Sequence, residues 1–488
     1  MKTIFLLFDS LNRRSLAPYG CDTIRCPNFQ RLEKRSITFD QCYAGSLPSI
    51  PARRDFHTGR LSFPHRSWGP MEPYDQSFIQ CLRDRGIYTH LISDHTHYWE
   101  EGGGNYHTKY DSWEIVRGQE GDSWAPAIDP CDTSKLLGRK DSARVHDIAN
   151  RKWLEKSGQY PIDEIGSNTL RFLDENHNKD NWFLHVESFD PHEPFFTHSE
   201  FQKGYEDSYT GQEFDWPDYK KADESPEQVE HCINRYRALV TACDDLLGKI
   251  LDRMDHYSLW DDTALVVTTD HGYLLGEHGW WAKTVQPVYN EISHIPMFWW
   301  DPTQRERGWH SSQLVQTYDI APTFLEAYGI PVPKVMTGKS IDLTAADGAQ
   351  RDKKHCLFGI HGCHLNITDG RYVYMRRPRE KQLNEYTLMP CNMKRAFPIE
   401  MMEKATLHPP FDFTCGCPVL QLPTGPWADI DFEEYGDMLF DLESDPDQMH
   451  PVEFPEVTER LCAMMCETFK EHDAPAEAYT YWGLERTE

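Results

Sequence analysis

The stretch from Ser49 to Arg60 carries the most informative chemistry in the sequence. A hydroxyl at Ser49 precedes Arg53 by four residues, and Pro51 fixes the turn between them. Guanidinium groups bind tetrahedral oxyanions through paired hydrogen bonds. A helix that begins near Pro51 would direct free backbone N–H groups at the same anion. Ser49 is therefore a candidate nucleophile in a phosphate or sulfate pocket, although a Ser that only caps a helix gives the same pattern.

Two acidic residues follow apolar runs that are typical of buried strands. Asp9 follows the run at residues 4–8, and Asp270 follows the run at residues 264–269, with His271 next in the chain. An acid at the end of a buried strand is unfavourable unless it binds a cation. Two such acids could converge on one divalent ion. Oxygen ligands favour Ca²⁺ or Mg²⁺, and a His in the set also allows Mn²⁺. A pair of unrelated helix caps is the alternative.

These residues need elements that bring them to one edge of a sheet. The apolar pattern predicts strands at residues 4–8, 182–186, 264–268 and 295–300, and helices at residues 161–176 and 227–254. Such alternation predicts an α/β domain with a large, mainly parallel central sheet flanked by helices. Functional residues are then expected on the loops that follow the carboxyl ends of the strands.

A smaller unit is predicted after the main domain. Residues 344–354 are polar and are typical of a linker, so the chain divides into a catalytic domain at 1–350 and a C-terminal α+β subdomain at 351–488 with a short antiparallel sheet. In the second unit, residues 372–375 resemble an edge strand and residues 455–472 a closing helix. Two further segments, 100–140 and 201–228, are expected to be surface insertions that shape a cleft.

The composition excludes several classes of function. The 488 residues include 50 Lys and Arg against 78 Asp and Glu, a net charge of −28 at pH 7, which disfavours nucleic acid as a partner. No apolar stretch approaches the roughly 20 residues that span a bilayer, so no membrane contact is expected. The first apolar run is too short for a signal peptide, and the 14 cysteines are expected to be free thiols in a reducing compartment. We therefore expect a cytoplasmic enzyme.

The motif Ser49-x-Pro51-Ala52-Arg53, followed by Thr58-Gly59, resembles the signature of type I sulfatases in the alkaline phosphatase superfamily. In that family the first position is a Cys or Ser that becomes a formylglycine aldehyde. A Ser there resembles the form matured by radical-SAM enzymes in anaerobic bacteria. Further segments are similar to family motifs, in family order: Pro27-Asn28-Phe29, Asp190-Pro191-His192-Glu193-Pro194, Gly276-Glu277-His278-Gly279, Tyr318-Asp319-Ile320 and Leu439-Phe440-Asp441. The resemblance covers nearly the whole chain and implies an alkaline-phosphatase-like sandwich.

The resemblance also implies a set of metal ligands. These are Asp9, Ser10, Ser49 as formylglycine, Asp270 and His271. Ca²⁺ is the expected ion, with Mn²⁺ or Mg²⁺ as alternatives. Many family members have a second acid where this chain has Ser10, so the fourth protein ligand stays open.

Catalytic roles follow from the same resemblance. Arg53 and Lys283 are expected to neutralise the sulfate oxygens. His192 would protonate the leaving oxygen or bind sulfate, and either His95 or His97 would deprotonate the hydrated aldehyde. In the implied reaction one hydroxyl of that hydrate attacks sulfur, the alcohol leaves, and the second hydroxyl expels sulfate.

Two departures from the family pattern keep other functions open. Ser10 replaces an acid, and the segment from Ser93 to His97 lacks a Lys that the family often has there. The leading hypothesis is hydrolysis of an O-sulfate or N-sulfate on a sugar or another small molecule. The alternatives are a phosphonate monoester or phosphodiester hydrolase and a protein that binds sulfated ligands without turnover. The expected partners are a small sulfated substrate and a radical-SAM maturing enzyme, and a homo-oligomer is compatible with the sequence.

Overall fold

Strands and helices alternate along the first two thirds of the chain, as the apolar pattern predicts. The structure, a computed structural model, describes residues 1–129, 131–304, 307–344 and 353–486. The strands are β1 (Lys2–Phe8), β2 (Ile37–Tyr43), β3 (Ser46–Leu47), β4 (Tyr88–Ser93), β5 (Ser112–Ile115), β6 (Trp182–Ser188), β7 (Lys220–Lys221), β8 (Thr263–Thr269), β9 (Leu274–Leu275), β10 (Trp280–Ala282), β11 (Met297–Trp300), β12 (Trp309–Gln316), β13 (Cys356–Ile360), β14 (Leu365–Thr368), β15 (Tyr372–Arg376), β16 (Leu383–Thr387), β17 (Thr406–His408), β18 (Val419–Thr424) and β19 (Met438–Asp441). The α-helices are α1 (Pro27–Glu33), α2 (Ser49–Thr58), α3 (Phe78–Arg83), α4 (Ser142–Ser157), α5 (Pro161–Asn176), α6 (Ser199–Gln202), α7 (Pro226–His256), α8 (Asn290–Ser293), α9 (Ile320–Ala327), α10 (Ile399–Met402), α11 (Phe432–Tyr435), α12 (Pro455–Glu471) and α13 (Ala476–Tyr481).

Eight strands form the main sheet, in the order β12-β2-β11-β8-β1-β6-β4-β5. β1 runs parallel to both of its neighbours, β6 and β8, whereas β11 is antiparallel to β8 and β2. The sheet is therefore mainly parallel and confirms the predicted α/β class. The two predicted long helices correspond to α5 and α7.

β1 is buried on both faces because it lies in the middle of the sheet. Phe5 belongs to one core layer, where Phe56 of α2 and Phe324 of α9 pack against its ring edge to face. Ile4 and Leu6 belong to the opposite layer, together with the apolar faces of α5 and α7. A parallel strand covered on both sides requires a continuous apolar run. The first acid after that run therefore marks the edge of the sheet.

α7 begins at a capping box, and a residue in its first half supports the loop after β1. Ser225 Oγ accepts from Gln228 N, Gln228 Oε1 accepts from Ser225 N at 2.8 Å, and Pro226 occupies the first helical position. These bonds satisfy backbone groups that the start of a helix leaves unpaired. Further along α7, the Tyr236 hydroxyl donates to Ser10 O at 2.9 Å. The helix thereby fixes the backbone directly after β1.

A second sheet, in the order β19-β15-β14-β13-β3, takes strands from distant parts of the chain. β3 lies just before α2 and pairs in parallel with β13, with Ser46 opposite Gly359 and Leu47 opposite Ile360. β16, β18 and β17 form a separate antiparallel sheet. These sheets confirm the expected smaller antiparallel component. The proposed division of the chain between residues 350 and 351 lies outside the described residues.

Two predictions about single elements are wrong. Residues 372–375 are predicted as an edge strand, but β15 lies inside the second sheet, between β14 and β19. The partner β19 comes from far along the chain, and a local pattern cannot show such a pairing. Residues 100–140 are predicted as a surface insertion, but they include β5, which pairs with β4 and forms one edge of the main sheet.

The described residues contain no candidate membrane-spanning helix, and their cysteines are free thiols. Within these residues, no helix combines the length and the apolar character that a membrane crossing requires. The cysteines at described positions are free thiols, as the sequence predicts. Burial raises the pKa of thiols such as Cys42 and Cys232, which keeps them protonated and unreactive.

Asp55 joins α2 to the second sheet. Its carboxylate accepts from Ser46 N at 2.6 Å and from Ser46 Oγ at 2.9 Å. It also accepts from Ser62 N at 3.0 Å and from Ser62 Oγ at 2.9 Å. All three residues are buried. The helix that carries Ser49 is thus fixed to β3 by one side chain.

We expect Asp55→Ala to lower the free energy of unfolding by about 2–4 kcal/mol, because it leaves buried N–H and O–H donors without an acceptor. The melting temperature, measured by differential scanning calorimetry, checks this. Asp447→Ala is the control, since Asp447 pairs with Arg14 at the exposed surface and should change stability by about 1 kcal/mol or less. Equal melting temperatures for the two variants would contradict the role of Asp55.

Candidate active site

The register of the central strands brings two acids to one edge of the main sheet. Phe8, the last residue of β1, lies opposite Thr269 of β8 and Ser188 of β6. Asp9 and Asp270 each follow a member of the first pair, so they leave the sheet side by side. Both carboxylates are buried. This is the carboxyl edge of the parallel strands, where the sequence predicts the functional residues.

Ser10 connects the two acids to Lys283. Its N–H donates to Asp270 Oδ1 at 3.1 Å, and its Oγ donates to Asp9 Oδ1 at 2.8 Å. Lys283 Nζ in turn donates to Ser10 Oγ at 3.1 Å. Ser10 has a φ of 60°, a left-handed conformation that costs a residue with a Cβ about 1–2 kcal/mol. These hydrogen bonds compensate for that strain.

His271 presents a single nitrogen to the site in a fixed tautomer. Its Nδ1–H donates to Gly272 O at 2.9 Å, so Nε2 carries the lone pair and accepts from Ser49 Oγ at 3.1 Å. Burial lowers the pKa of His271, although Asp270 opposes this, so the neutral ring is favoured. A Cβ at position 272 would lie 2.0 Å from Glu291 O. Gly272 is therefore required by the close approach of two backbones rather than by a positive φ.

Ser49 is the first residue of α2, in agreement with a helix that begins near Pro51. Among the described residues, no side chain caps this end of the helix. Its first N–H groups therefore favour an anion near Ser49. Ser49 is 2% exposed and lines a cavity of about 400 Å³. The candidate nucleophile thus lines a substrate-sized cavity.

Arg53 contacts acids rather than the cavity. Its Nε donates to Glu187 Oε1 at 2.6 Å, its Nη2 lies 2.9 Å from Asp9 Oδ2, and its Nη1 pairs with Asp270. The same Nη1 donates to Ser49 O at 3.1 Å. The expected role of Arg53 in neutralising sulfate oxygens stays a prediction, and the contacts seen here are to carboxylates and to the backbone of Ser49. Its contacts are those of a group that holds the site together.

Asp9, Asp270 and His271 form a donor set that suits a cation. One ligand atom from each residue lies within 4.8 Å of the others. Burial raises the pKa of Asp9, but Arg53 and then Lys283 outweigh burial and hold this pKa below its usual value. Arg53 brings one positive charge to three carboxylates, so a divalent cation would offset the excess. Two carboxylates with one neutral imidazole can bind Ca²⁺, Mg²⁺ or Mn²⁺.

Glu187 is a site residue that the sequence analysis misses. It lies in β6 and is buried. Besides the bond from Arg53, its Oε2 accepts from Ser93 Oγ at 2.7 Å and its Oε1 from the Tyr98 hydroxyl at 3.4 Å. A Glu inside a mainly apolar strand was the available signal, because a buried acid requires a partner.

The two candidate histidines after β4 have different surroundings. His97 lines the cavity that Ser49 lines, and its Nδ1 lies 2.9 Å from Glu100 Oε1. His95 is fully buried, and neither ring nitrogen has a hydrogen-bond partner among the described residues. Burial and then Arg53 lower the pKa of His95 well below its usual value. Asp94, which directly precedes His95 in the chain, accepts from the backbone N–H of Phe189 at 2.7 Å.

Lys283 and His192 line the same cavity. Lys283 is buried, so it is not a solvated surface lysine, and its Nζ lies 3.7 Å from Glu193 Oε2. His192 donates from Nδ1 to Glu193 O, which leaves the Nε2 lone pair free. Burial lowers the pKa of His192 well below its usual value despite the opposing charge of Glu193. The neutral ring is therefore favoured until an anion approaches it.

Comparisons with known proteins agree with this geometry. A family model described as Sulfatase matches residues 2–330, which is more than half of the chain. The chain belongs to the sulfatase family. This sulfatase is 25% identical, over 398 residues, to the N-acetylglucosamine-6-O-sulfatase of Bacteroides thetaiotaomicron, and the match covers 69% of each protein. Sulfate ester hydrolysis is accordingly its activity.

Two solved structures share the fold of this sulfatase. One is a protein in complex with its substrate D-glucosamine-2-N,6-O-disulfate, with a TM-score of 0.67, 16% identity, and coverage of 98% of this chain and 99% of that chain. The other is the phosphonate monoester hydrolase of Agrobacterium radiobacter, with a TM-score of 0.65, 16% identity, and 96% coverage of both chains. These similarities confirm the predicted alkaline-phosphatase-like sandwich.

We expect Glu187→Ala to lower kcat of this sulfatase for a chromogenic aryl sulfate by about 100-fold with little change in KM. Without the Glu187 carboxylate, Nε of Arg53 loses its acceptor and the guanidinium can shift. Small displacements of groups in an active site lower the rate by about this factor. Glu187→Gln keeps the acceptor oxygen and should retain more of kcat. Glu114→Ala, at the exposed β5 ion pair with Arg171, is the control. An unchanged kcat in Glu187→Ala would show that Arg53 needs no support from β6.

Proposed function

We propose that this sulfatase hydrolyses its sulfate ester through a formylglycine formed from Ser49 and releases inorganic sulfate. The observation that carries the proposal is the position of Ser49, whose Oγ lies 3.1 Å from His271 Nε2 at the start of α2. A plain serine ester of sulfate would need a separate water to release the product. The hydrated aldehyde would supply one hydroxyl to attack sulfur and a second to expel sulfate.

The proposed metal is Ca²⁺, held by Asp9, Asp270 and His271 together with the modified Ser49. When bound, the ion would act as a Lewis acid that lowers the pKa of the attacking hydroxyl. The Ser10 hydroxyl already donates to Asp9 and accepts from Lys283. We therefore assign Ser10 the role of orienting Asp9 and treat it as a weaker candidate for direct ligation.

The side chains around the cavity would share the remaining work. Lys283 would bind a sulfate oxygen, since its ammonium lines the cavity beside Ser49. His192 would accept a proton at Nε2 when the anion arrives, because a nearby negative charge raises the pKa of an imidazole, and would return it to the leaving oxygen. His97 lines the cavity and so is favoured over His95 for removing a proton from the hydrated aldehyde. Arg53 would hold the acids and the backbone of Ser49 in register.

A sulfated amino sugar is the proposed substrate. The bacterial relative is named an N-acetylglucosamine-6-O-sulfatase, and one structural neighbour holds D-glucosamine-2-N,6-O-disulfate as its substrate. The cavity of about 400 Å³ has the size of a small-molecule site.

Maturation and location complete the proposal. A Ser at the modified position supports a radical-SAM maturing enzyme as the partner, with an anaerobic bacterium as the host. The free thiols among the described residues suit a reducing compartment such as the cytoplasm.

We expect a peptide spanning Ser49, from protein made beside a radical-SAM maturing enzyme, to weigh two hydrogens less than the encoded peptide. Mass spectrometry of the proteolysed protein measures this. Ser49→Ala is the matched control and should show neither the mass loss nor sulfate release. Full sulfatase activity from a chain whose Ser49 is unmodified would overturn the formylglycine proposal.

The second candidate function is phosphonate monoester or phosphodiester hydrolysis. The neutral Ser10 beside Asp9 and the structural similarity to a phosphonate monoester hydrolase favour it. Both reactions displace a leaving group at a charged tetrahedral centre, so one site can serve either.

The modified enzyme is expected to prefer 4-nitrophenyl sulfate over the matching phenyl phosphonate and phosphodiester by about tenfold or more in kcat/KM, a difference of about 1.4 kcal/mol in transition-state stabilisation. Release of nitrophenolate measures all three reactions. Glucosamine 6-sulfate and glucosamine N-sulfate, followed by sulfate release, then identify the ester. A preference for the phosphonate would favour the second candidate.

A further inference from the structure

Two tryptophans form one side of the cavity above Ser49, and we call them the tryptophan wall. The rings of Trp68 and Trp427 are stacked, with centroids 5.7 Å apart and an interplanar angle of 20°. Trp68 also meets the ring of His97 edge to face at 5.0 Å. Both tryptophans line the cavity with Ser49. The wall thus belongs to the same cavity as the candidate reacting groups.

Trp68 is held rigidly by its neighbours. Arg54, which is fully buried, donates from Nη2 to Ser67 O and to Gly69 O, both at 2.8 Å. On the other side, Glu385 accepts from Ser67 N and Ser67 Oγ, each at 3.0 Å. The backbone on both sides of Trp68 is therefore fixed by charged groups. A preorganised aromatic surface of this kind loses little freedom when a ligand binds.

Trp427 comes from the C-terminal part of the chain and stays 39% exposed. The backbone N–H of Trp427 donates to His361 O at 2.9 Å, which fixes the main chain at this position. One face of its ring stacks on Trp68. A large indole left open at a polar cavity offers an apolar surface for a ligand.

The charged side chains that line the same cavity decide which ligand suits the tryptophan wall. The cavity is lined by basic side chains and by acidic ones: Arg139, Lys283, Lys394, Glu120, Asp141 and Asp218. A quaternary ammonium also binds aromatic rings, but the three basic side chains balance the three acidic ones, so this lining has no excess of negative charge to attract it. A pyranose ring suits both features, since its C–H face is apolar and its hydroxyls can both donate to carboxylates and accept from cations.

We propose that Trp427, supported from behind by Trp68, determines specificity by stacking its free face on the pyranose ring of the sulfated substrate, in preference to quaternary ammonium sulfates. This inference rests on the proposed function only for the sulfate group at the reacting end. The ring would lie on the wall while the charged groups that line the cavity contact its hydroxyls. The sulfate would meanwhile reach Lys283 and Ser49.

Calorimetric titration of the full-length Ser49→Ala protein, with Ca²⁺ present, tests binding without turnover. The ligands are glucosamine 6-sulfate, choline sulfate and inorganic sulfate. In this background, Trp427→Ala should weaken binding of glucosamine 6-sulfate by about tenfold, and binding of the other two ligands by less than about threefold. Trp68→Phe keeps an aromatic ring in the core and should cause a smaller loss for the sugar alone. Trp153→Ala, at an exposed site on α4, is the control and should change nothing.

An unchanged affinity for glucosamine 6-sulfate in Trp427→Ala would overturn the proposal, as would no measurable binding of that sugar to the parent protein. An equal or larger loss for choline sulfate would assign the wall to a quaternary ammonium instead. Failure of the formylglycine chemistry has a separate signature. In that case the matured wild-type protein releases no sulfate from any ester, while the binding differences among the variants persist.

Discussion

One guanidinium group holds the active site together. Arg53 projects from α2 and contacts Asp9 after β1, Glu187 in β6 and Asp270 after β8. Three neighbouring strands are thereby tied to one helix, and the backbone of Ser49 is bound by the same side chain. A buried arginine is stable only with such partners, and the acids are stable only with it or with a cation. Removing either side would leave uncompensated charge in the core.

The parallel register around β1 is what lets a single arginine reach all three acids. Adjacent strands pair residue for residue, so Phe8, Ser188 and Thr269 lie in one row across the sheet. The carboxylates lie within one position of that row, two after it and one before it. α2 then presents both Ser49 and Arg53 to this edge from a single turn. The arrangement of the site therefore depends on the register of the sheet as much as on the motif from Ser49 to Arg53.

Much of this arrangement could be predicted from local pattern. The apolar runs before Asp9 and Asp270 located the two central strands, and the Ser–Pro–Arg spacing located the start of α2. Glu187 was missed because its meaning depends on a partner 134 positions away in the chain. The orientation of Arg53 towards acids, and the separate surroundings of His95 and His97, also depend on tertiary packing. Spacing identifies which residues meet, but not which atoms they offer to a ligand.

The pairing of β3 with β13 has a consequence for the timing of biosynthesis. β3 ends just before Ser49, and its partner strand lies in the last third of the chain. At synthesis rates of about 5–20 residues per second, the partner emerges on the order of 15–60 s after β3. Until then the segment around Ser49 lacks its final neighbour. In the completed fold Ser49 is 2% exposed. Topology thus delays the burial of Ser49 until most of the chain has been synthesised.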